Sequence, residues 1–193
     1  LVGTHLASFR IIDVQHCVVP IQDGKLLDSH ELSWRAPLMA KWWQQVESSW
    51  MDHRGKSKMT AVETINFHSK LSKQLPPAKY RVLYTTSGSS ICAVFQKDSQ
   101  ALIDTKLYWV PTSTEEEGHY LTGILNSTPL QDLVLESQSV GNFGPRDIHQ
   151  LPLAIPYARF DPNNPIHSAM AKAASDAAAV AAAVDIPSRQ GFL

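Results

Sequence analysis

The sequence predicts a mixed α/β (α+β) fold: a small, mainly antiparallel sheet with flanking helices and a long C-terminal alanine-rich helix. Three observations predict it. Between Tyr80 and Val110, β-branched and aromatic residues recur with strand period in three runs, separated by Ser87-Gly88-Ser89-Ser90 and by Lys97-Asp98-Ser99. On both sides of these runs, apolar residues fall instead at helical spacing. Beyond Asn164-Pro165 the chain is dominated by alanine, the best intrinsic helix former.

Taken in order, Phe9 to Val14 and Cys17 to Ile21 read as strands, with Asp23-Gly24 as a turn. From Pro37 to Met51, Leu38, Met39, Trp42, Trp43, Val46 and Trp50 define a helix that Gly55 can stop. Trp42 and Trp50 share one face and are assigned to the core, which leaves Trp43 available for stacking on bases. Thr60-Ala61-Val62-Glu63 has the form of a capping box, and Pro76-Pro77 closes the second helix. The runs Tyr80 to Thr86, Ile91 to Gln96 and Ala101 to Val110 suggest a meander. Ser113 or Thr114 caps the next helix, whose first turn carries Glu115, Glu116 and Glu117 at the positive end of the helix dipole. Tyr120, Leu121, Ile124 and Leu125 form its inner face.

Pro129 to Gln138 reads as a further helix and Leu151 to Ile155 as a short strand. Asn164 is an N-cap before a proline at the first helical position, and the helix it starts runs to about Val184. Along it Ile166, Met170, Ala173, Ala177, Val180 and Val184 recur in steps of four and three, the seam of a helix that wants a partner. This divides the chain into a mixed α/β body, residues 1–163, and a C-terminal helix with its tail, residues 164–193. Within the body, residues 1–32 are either a linker or strands of a preceding region. The chain begins with Leu1 and opens directly into strand-like sequence, as a piece of a longer polypeptide would.

With 44% hydrophobic and 18% charged residues the composition is that of a folded globular protein rather than a disordered one. The apolar opening from Leu1 to Ile21 is interrupted by His5, Arg10, Asp13, Gln15 and His16, too soon for a membrane span. No signal peptide is recognised, and a cytoplasmic location is expected. Cys17 and Cys92 form no Cys-x-x-Cys pair and are expected to be buried thiols. The net charge of -1 conceals an asymmetry: from Arg35 to Arg81 there are nine Lys or Arg against Glu47, Asp52 and Glu63, an excess of +6 that the remainder offsets with -7. A local excess of this kind attracts phosphates, although a solvated helix face would show it too.

Catalytic motifs are sparse. Arg146-Asp147-Ile148-His149 sets a cation, an acid and a base within four residues, but on a helical turn Asp147 would diverge from Arg146 and His149. Asp147 as an N-cap and Arg146 as a fork for a phosphate or a base edge is the preferred reading, with a small nuclease using His149 and Asp147 as an alternative. Gly141-Asn142-Phe143-Gly144-Pro145 lacks the spacing of a dinucleotide loop, and its glycines suit a tight turn or close backbone approach to a ligand. Ser87-Gly88-Ser89-Ser90 joins two strands and presents hydroxyls, with Lys79 and Arg81 on the entering strand. The histidines are dispersed, so no metal site is indicated.

Several ordered segments carry a resemblance. They are Tyr80-Arg81-Val82-Leu83-Tyr84-Thr85, Ser87-Gly88, Ile103 to Trp109, Tyr120-Leu121-Thr122-Gly123-Ile124-Leu125-Asn126-Ser127, Arg146-Asp147-Ile148-His149, Leu151-Pro152-Leu153 and Ile155 to Pro162. In this order they resemble the C-terminal, TaqI-like target recognition (specificity) domain of adenine-specific DNA methyltransferases of restriction-modification systems. The resemblance spans about Lys41 to Ala174 and does not extend over Leu1 to Leu32. It implies a domain that reads double-stranded DNA, without catalysis of its own, beside a catalytic methyltransferase domain of the same parent polypeptide. That domain would bind S-adenosylmethionine and flip the target adenine, so no cofactor is expected in this piece. Candidate DNA contacts are Lys79, Arg81, Ser87, Ser89, Asn142, Arg146 and His149, supported at phosphates by Arg54, Lys56 and Lys58. A module for protein–protein interaction through the alanine-rich seam is the alternative from a different class.

Overall fold

A computed structural model describes residues 1, 3–138, 140, 141, 144, 145 and 147–185. Helices and small antiparallel sheets are mixed along the chain, with a long helix at its C-terminal end, so the fold class is α+β. Contacts divide the chain into two compact units, Leu1–Val14 with Ala78–Leu193, and Gln15–Pro77. This division differs from the boundary at residue 163 that the sequence suggests, because the C-terminal helix packs within the first unit instead of standing apart.

The chain opens with β1 (Leu6–Ala7) and β2 (Arg10–Ile11), an antiparallel pair turned at Phe9, whose φ is 66°. The strands expected over Phe9 to Val14 and Cys17 to Ile21 are otherwise not formed. Residues 13–18 are exposed, so no neighbouring strand satisfies them, and Cys17 is exposed where a buried thiol was expected. Cys92 is half-buried.

The second unit begins with β3 (Ile21–Gln22) and β4 (Lys25–Leu26), joined by Asp23-Gly24 as expected. Both turn residues have positive φ, 49° and 74°, the geometry of a type I′ hairpin. Next come α1 (Ser29–Ser33), α2 (Pro37–His53) and α3 (Ala61–Ile65). Asp28 and Glu31 cap α1 reciprocally, and Thr60 and Glu63 do the same for α3. Gly55, at φ 61°, follows the end of α2 as the sequence suggests. The core of this unit is Leu32, Ala40, Trp43 and Ala61 with Met39, Val46 and Trp50 against them. Here the tryptophan assignment reverses: Trp43 is buried and Trp42 exposed. Trp50 is half-buried and donates its indole N–H to the Met59 carbonyl at 2.9 Å.

Back in the first unit, β5 (Tyr80–Thr85), β6 (Ala93–Lys97) and β7 (Leu107–Pro111) form an antiparallel sheet in the order β6-β5-β7. This is not the meander expected, because β7 pairs with the central β5 rather than with β6. The connection from residue 98 to 106 therefore carries the chain from one edge of the sheet to the other. Alternation along the strands loads both faces. Val82, Tyr84 and Ala93 point toward one core with α4 (Glu115–Leu125) and α5 (Thr128–Ser137), whereas Leu83 and Val94 join Leu6, Ile103 and Leu107 on the other. The N-terminal segment is thus part of this unit: the Leu1 ammonium donates to the Leu102 carbonyl at 2.6 Å, and Asp104 N–H donates to the Leu1 carbonyl at 2.9 Å.

A short hairpin, β8 (Val140–Gly141) with β9 (Gly144–Pro145), follows. Leu151–Ala154 is the helical turn α6, not a strand; Pro152 at its second position removes a donor that a ladder would need. The last element, α7 (Pro165–Ala183), starts at Asn164, whose side chain accepts from Ile166 N–H at 3.0 Å. At its far end the Arg10 guanidinium donates to the carbonyls of Ala181 and Val184. The face of α7 that packs on α4 is His167, Ala171 and Ala174, one residue round from the expected seam, which stays exposed at Ile166 (66%) and Val180 (67%). Among the described residues no helix is long and apolar enough to cross a membrane.

Candidate nucleic-acid interface

The serine-rich connection between β5 and β6 stands beyond the end of the central strand with Ser87, Gly88, Ser89 and Ser90 all exposed. What lies beside it is settled by backbone pairing. The Thr86 carbonyl accepts from both Ile148 N–H (2.9 Å) and His149 N–H (3.0 Å), Ser87 forms an isolated antiparallel bridge with Asp147, and the Tyr84 hydroxyl donates to the His149 carbonyl at 3.0 Å. Ile148 is buried beneath, in the core shared with Tyr84 and Leu125, and anchors the segment. The end of the glycine-rich stretch and the tip of the β5–β6 connection are therefore neighbours.

On this edge His149 and Asp147 are both exposed, with Nε2 and Oδ1 3.6 Å apart. His149 has φ 44°, a left-handed conformation held by the two bonds its backbone makes. Asp147 sits in a bridge and caps no helix; the residue before α6 is Gln150. Lys106 was not among the sequence candidates, yet it belongs here. Its carbonyl accepts from Thr86 N–H (3.3 Å) and from the Thr86 hydroxyl (3.0 Å), which fixes an exposed cation next to the tip. Only the register of β7 against β5, Thr85 opposite Leu107, reveals this, and a meander would have placed Lys106 on the other edge.

The other candidates are distributed differently. Arg81 is 1% exposed and cannot reach a ligand at the surface. Its Nη2 donates to Gln96 Oε1 (2.6 Å) and to the carbonyls of Ser99 (3.1 Å) and Ala101 (3.1 Å), so it ties the edge-to-edge connection onto the β5–β6 pair. Burial lowers its pKa from the ordinary arginine value. Lys79 is exposed, but at the opposite end of β5 from Ser87, about 26 Å away at the rise of a strand. Its ammonium lies 4.9 Å from the Tyr80 ring centroid, and a bond to Tyr80 raises its pKa. Arg54, Lys56 and Lys58 belong to the second unit, where Lys56 and Lys58 are exposed and Arg54 reaches the Met59 carbonyl. Asn142 and Arg146 lie outside the described residues.

The motif Tyr120 to Ser127 turns out to be a structural junction. Asn126 accepts from Ala93 N–H (2.9 Å) and donates to the Ala93 carbonyl (2.8 Å), pairing the edge of β6 as a neighbouring strand would. The Tyr120 hydroxyl donates to the Ala158 carbonyl at 2.8 Å. Gly118 and Gly123 let neighbours approach: a Cβ at Gly118 would lie 2.2 Å from the Phe95 ring, and one at Gly123 3.1 Å from the Ala174 methyl. These residues position the tip without forming part of it.

Chemically, among the described residues the edge offers hydroxyls, an imidazole with the Asp147 carboxylate beside it, and the Lys106 ammonium on an open surface. The cavity beneath it, lined by Ser89, Gln131, Gln138 and Ile148 among others, holds only about 10 Å³, too little for a small molecule. Among the described residues no three His, Cys, Asp or Glu come together as metal ligands. The arrangement suits hydrogen bonding to an extended partner laid across the edge. Comparison with protein-family models and with curated proteins finds no match.

Proposed function

We propose that this chain is the target recognition domain of an adenine-specific DNA methyltransferase of the restriction-modification type, reading double-stranded DNA with the β5–β6 tip and the Asp147–His149 segment beside it. The observation that carries the reading is the pairing of Ser87 with Asp147 and of Thr86 with His149. It unites at one edge two of the segments, far apart in sequence, that carry the resemblance. Ser87, Ser89 and His149 are the contacts at this edge, with Lys106 added for a phosphate; Asn142 and Arg146 are retained on the resemblance alone, and Arg81 is withdrawn. Lys79, Arg54, Lys56 and Lys58 serve as more remote phosphate contacts.

In this reading the domain has no reaction of its own. A catalytic domain of the parent polypeptide binds S-adenosylmethionine and methylates the flipped adenine, in the cytoplasm. The test is fluorescence anisotropy of a labelled random-sequence duplex titrated with the chain at several salt concentrations. Binding that weakens linearly in log–log form as salt rises is expected, and absence of such binding at every salt concentration contradicts the reading.

One observation favours a second reading. The apolar seam of α7 stays exposed at Ile166, Val180 and Val184, which suits a module that docks another helix. Such a module would self-associate or bind protein while ignoring DNA, so the same titration separates the two.

A further inference from the structure

One side of α7, formed by His167, Ala171 and Ala174, packs on α4, and another side has no partner within the unit. Along that second side run Ile166, Met170, Ala173, Ala177, Val180 and Val184, in alternating steps of four and three. Five of the six are exposed and Ala177 is half-buried. Their sizes follow an order that reads alike from both ends: two large side chains, two alanines, two large side chains. No charged residue interrupts the row. Asp176, beside its midpoint, is held by Lys172 of the same helix at 2.7 Å. Ala169 and Ala183 are exposed along the outer flank of the row, so another helix can approach closely from there.

We infer that this side of α7 pairs antiparallel with the same side of α7 in a second copy of the chain, about a two-fold axis level with Ser175. In that register Ile166 lies opposite Val184 of the second copy, Met170 opposite Val180, and Ala173 opposite Ala177. Each position of the row thus finds its complement within the row, the condition that a two-fold interface must meet. A helix of different sequence would not require the two ends to match. The alternating spacing keeps the contacts in line along both helices, and the central alanines allow the axes to come within about 8–9 Å. Antiparallel order also sets the positive end of each helix dipole beside the negative end of the other. Closing the pair buries no unpaired ion, because each Asp176 brings its own Lys172. Two helices of 19 residues laid side by side remove on the order of 1,000 Å² from water, the size at which specific interfaces begin. The consequence is a weak dimer. This names the partner for the seam on which the second reading rests, and it holds whichever way the duplex titration falls: oligomeric state tests the pairing, and DNA binding tests the function.

The test is sedimentation velocity of the whole chain between about 1 and 300 µM, where an interface of this size should show a monomer–dimer equilibrium. Val180 is 67% exposed, so Val180→Lys puts a charge into the row without disturbing the unit's own core. It should raise the dissociation constant about tenfold or more, whereas Ala179→Lys, exposed but off the row, should leave it unchanged. Direction is read by cross-linking in a Cys17→Ser background with diamide as the oxidant. A mixture of Met170→Cys and Val180→Cys chains should form a disulfide-linked dimer, and neither variant alone should do so, because only antiparallel order brings these two positions together. A monomer at every concentration, an undiminished dimer with Val180→Lys, or cross-linking of a single variant as efficient as that of the mixture overturns the inference. Circular dichroism of Val180→Lys should match the parent, and the cysteine variants, which keep the row free of charge, probe the same contact independently of it.

Discussion

Asn126 shows how much one side chain can carry in this fold. Its amide occupies both backbone groups of Ala93, a residue with no exposure, at the edge of β6. Asn126→Ala would leave the Ala93 N–H buried without a partner, a loss of about 1–3 kcal/mol that urea unfolding should report. In the sequence, Asn126-Ser127 stands out only as the end of a segment shared with the target recognition domains that the chain resembles. The structure gives it a different task, because pairing with an edge strand 33 residues away has no local signature.

His119 supplies a residue-scale prediction about pH. Burial lowers its pKa below the ordinary histidine value; nearby Glu115 opposes this and Lys97 reinforces it. A histidine depressed in the folded state adds stability that is fully present above the unfolded value, about 6.5, and is lost as pH falls through the folded one. Urea midpoints should therefore decline as pH drops from about 7 to below 6, and His119→Gln should flatten that decline. Glu115 acts at lower pH. Its bond to Lys97 at 2.5 Å holds its pKa down, so its contribution disappears only as pH falls through the carboxylate range.

At the scale of elements, the sequence located most helices and the three long strands but misjudged which side of a helix turns inward. In α2 the inner stripe is Met39, Trp43, Val46 and Trp50, not the one through Trp42; in α7 it is His167, Ala171 and Ala174, not the one through Ile166 and Met170. Both errors are offsets of one residue, about 100° of rotation. Where two adjacent stripes are both apolar, periodicity alone cannot choose. Close approach decides it in α7, since Gly123 admits only a small neighbour such as Ala174. Gly123→Val should force α4 and α7 apart at a cost of about 1–3 kcal/mol, visible as a lowered urea midpoint. If stability is unchanged, the packing of this helix pair is not as described.

The order β6-β5-β7 is a further element-scale lesson. Strand runs were legible, yet their pairing depended on a connection that passes over the sheet and is tied down by buried Arg81. The same basic residue read as a surface contact because charge usually marks a surface. Arg81→Gln should loosen the segment from Ser99 to Ala101, seen as faster amide exchange there, without reducing DNA affinity directly.

For the whole molecule, residues 15–77 form a unit inserted between Val14 and Ala78, so the N-terminal strands and the main sheet belong together across a long interruption. Pro76-Pro77 stands at the second junction, but as sequence it reads only as the end of a helix, and nothing comparable marks the first junction after Val14. The basic excess between Arg35 and Arg81 likewise dissolves into separate places: Arg81 is buried, Lys79 lies at the far end of β5, and the rest sit in the inserted unit. The candidate edge survives because its pieces are joined by backbone bonds rather than by charge.

The most direct measurement of that edge is enrichment from a pool of duplexes with a randomised segment, comparing the parent chain with Ser87→Ala/His149→Ala. A recognition surface at the β5–β6 tip should select a defined motif, and the variant should lose preference at one or two of its positions while phosphate-driven binding and its salt dependence persist. No enriched motif with the parent, or the same motif at equal strength with the variant, would contradict the assignment.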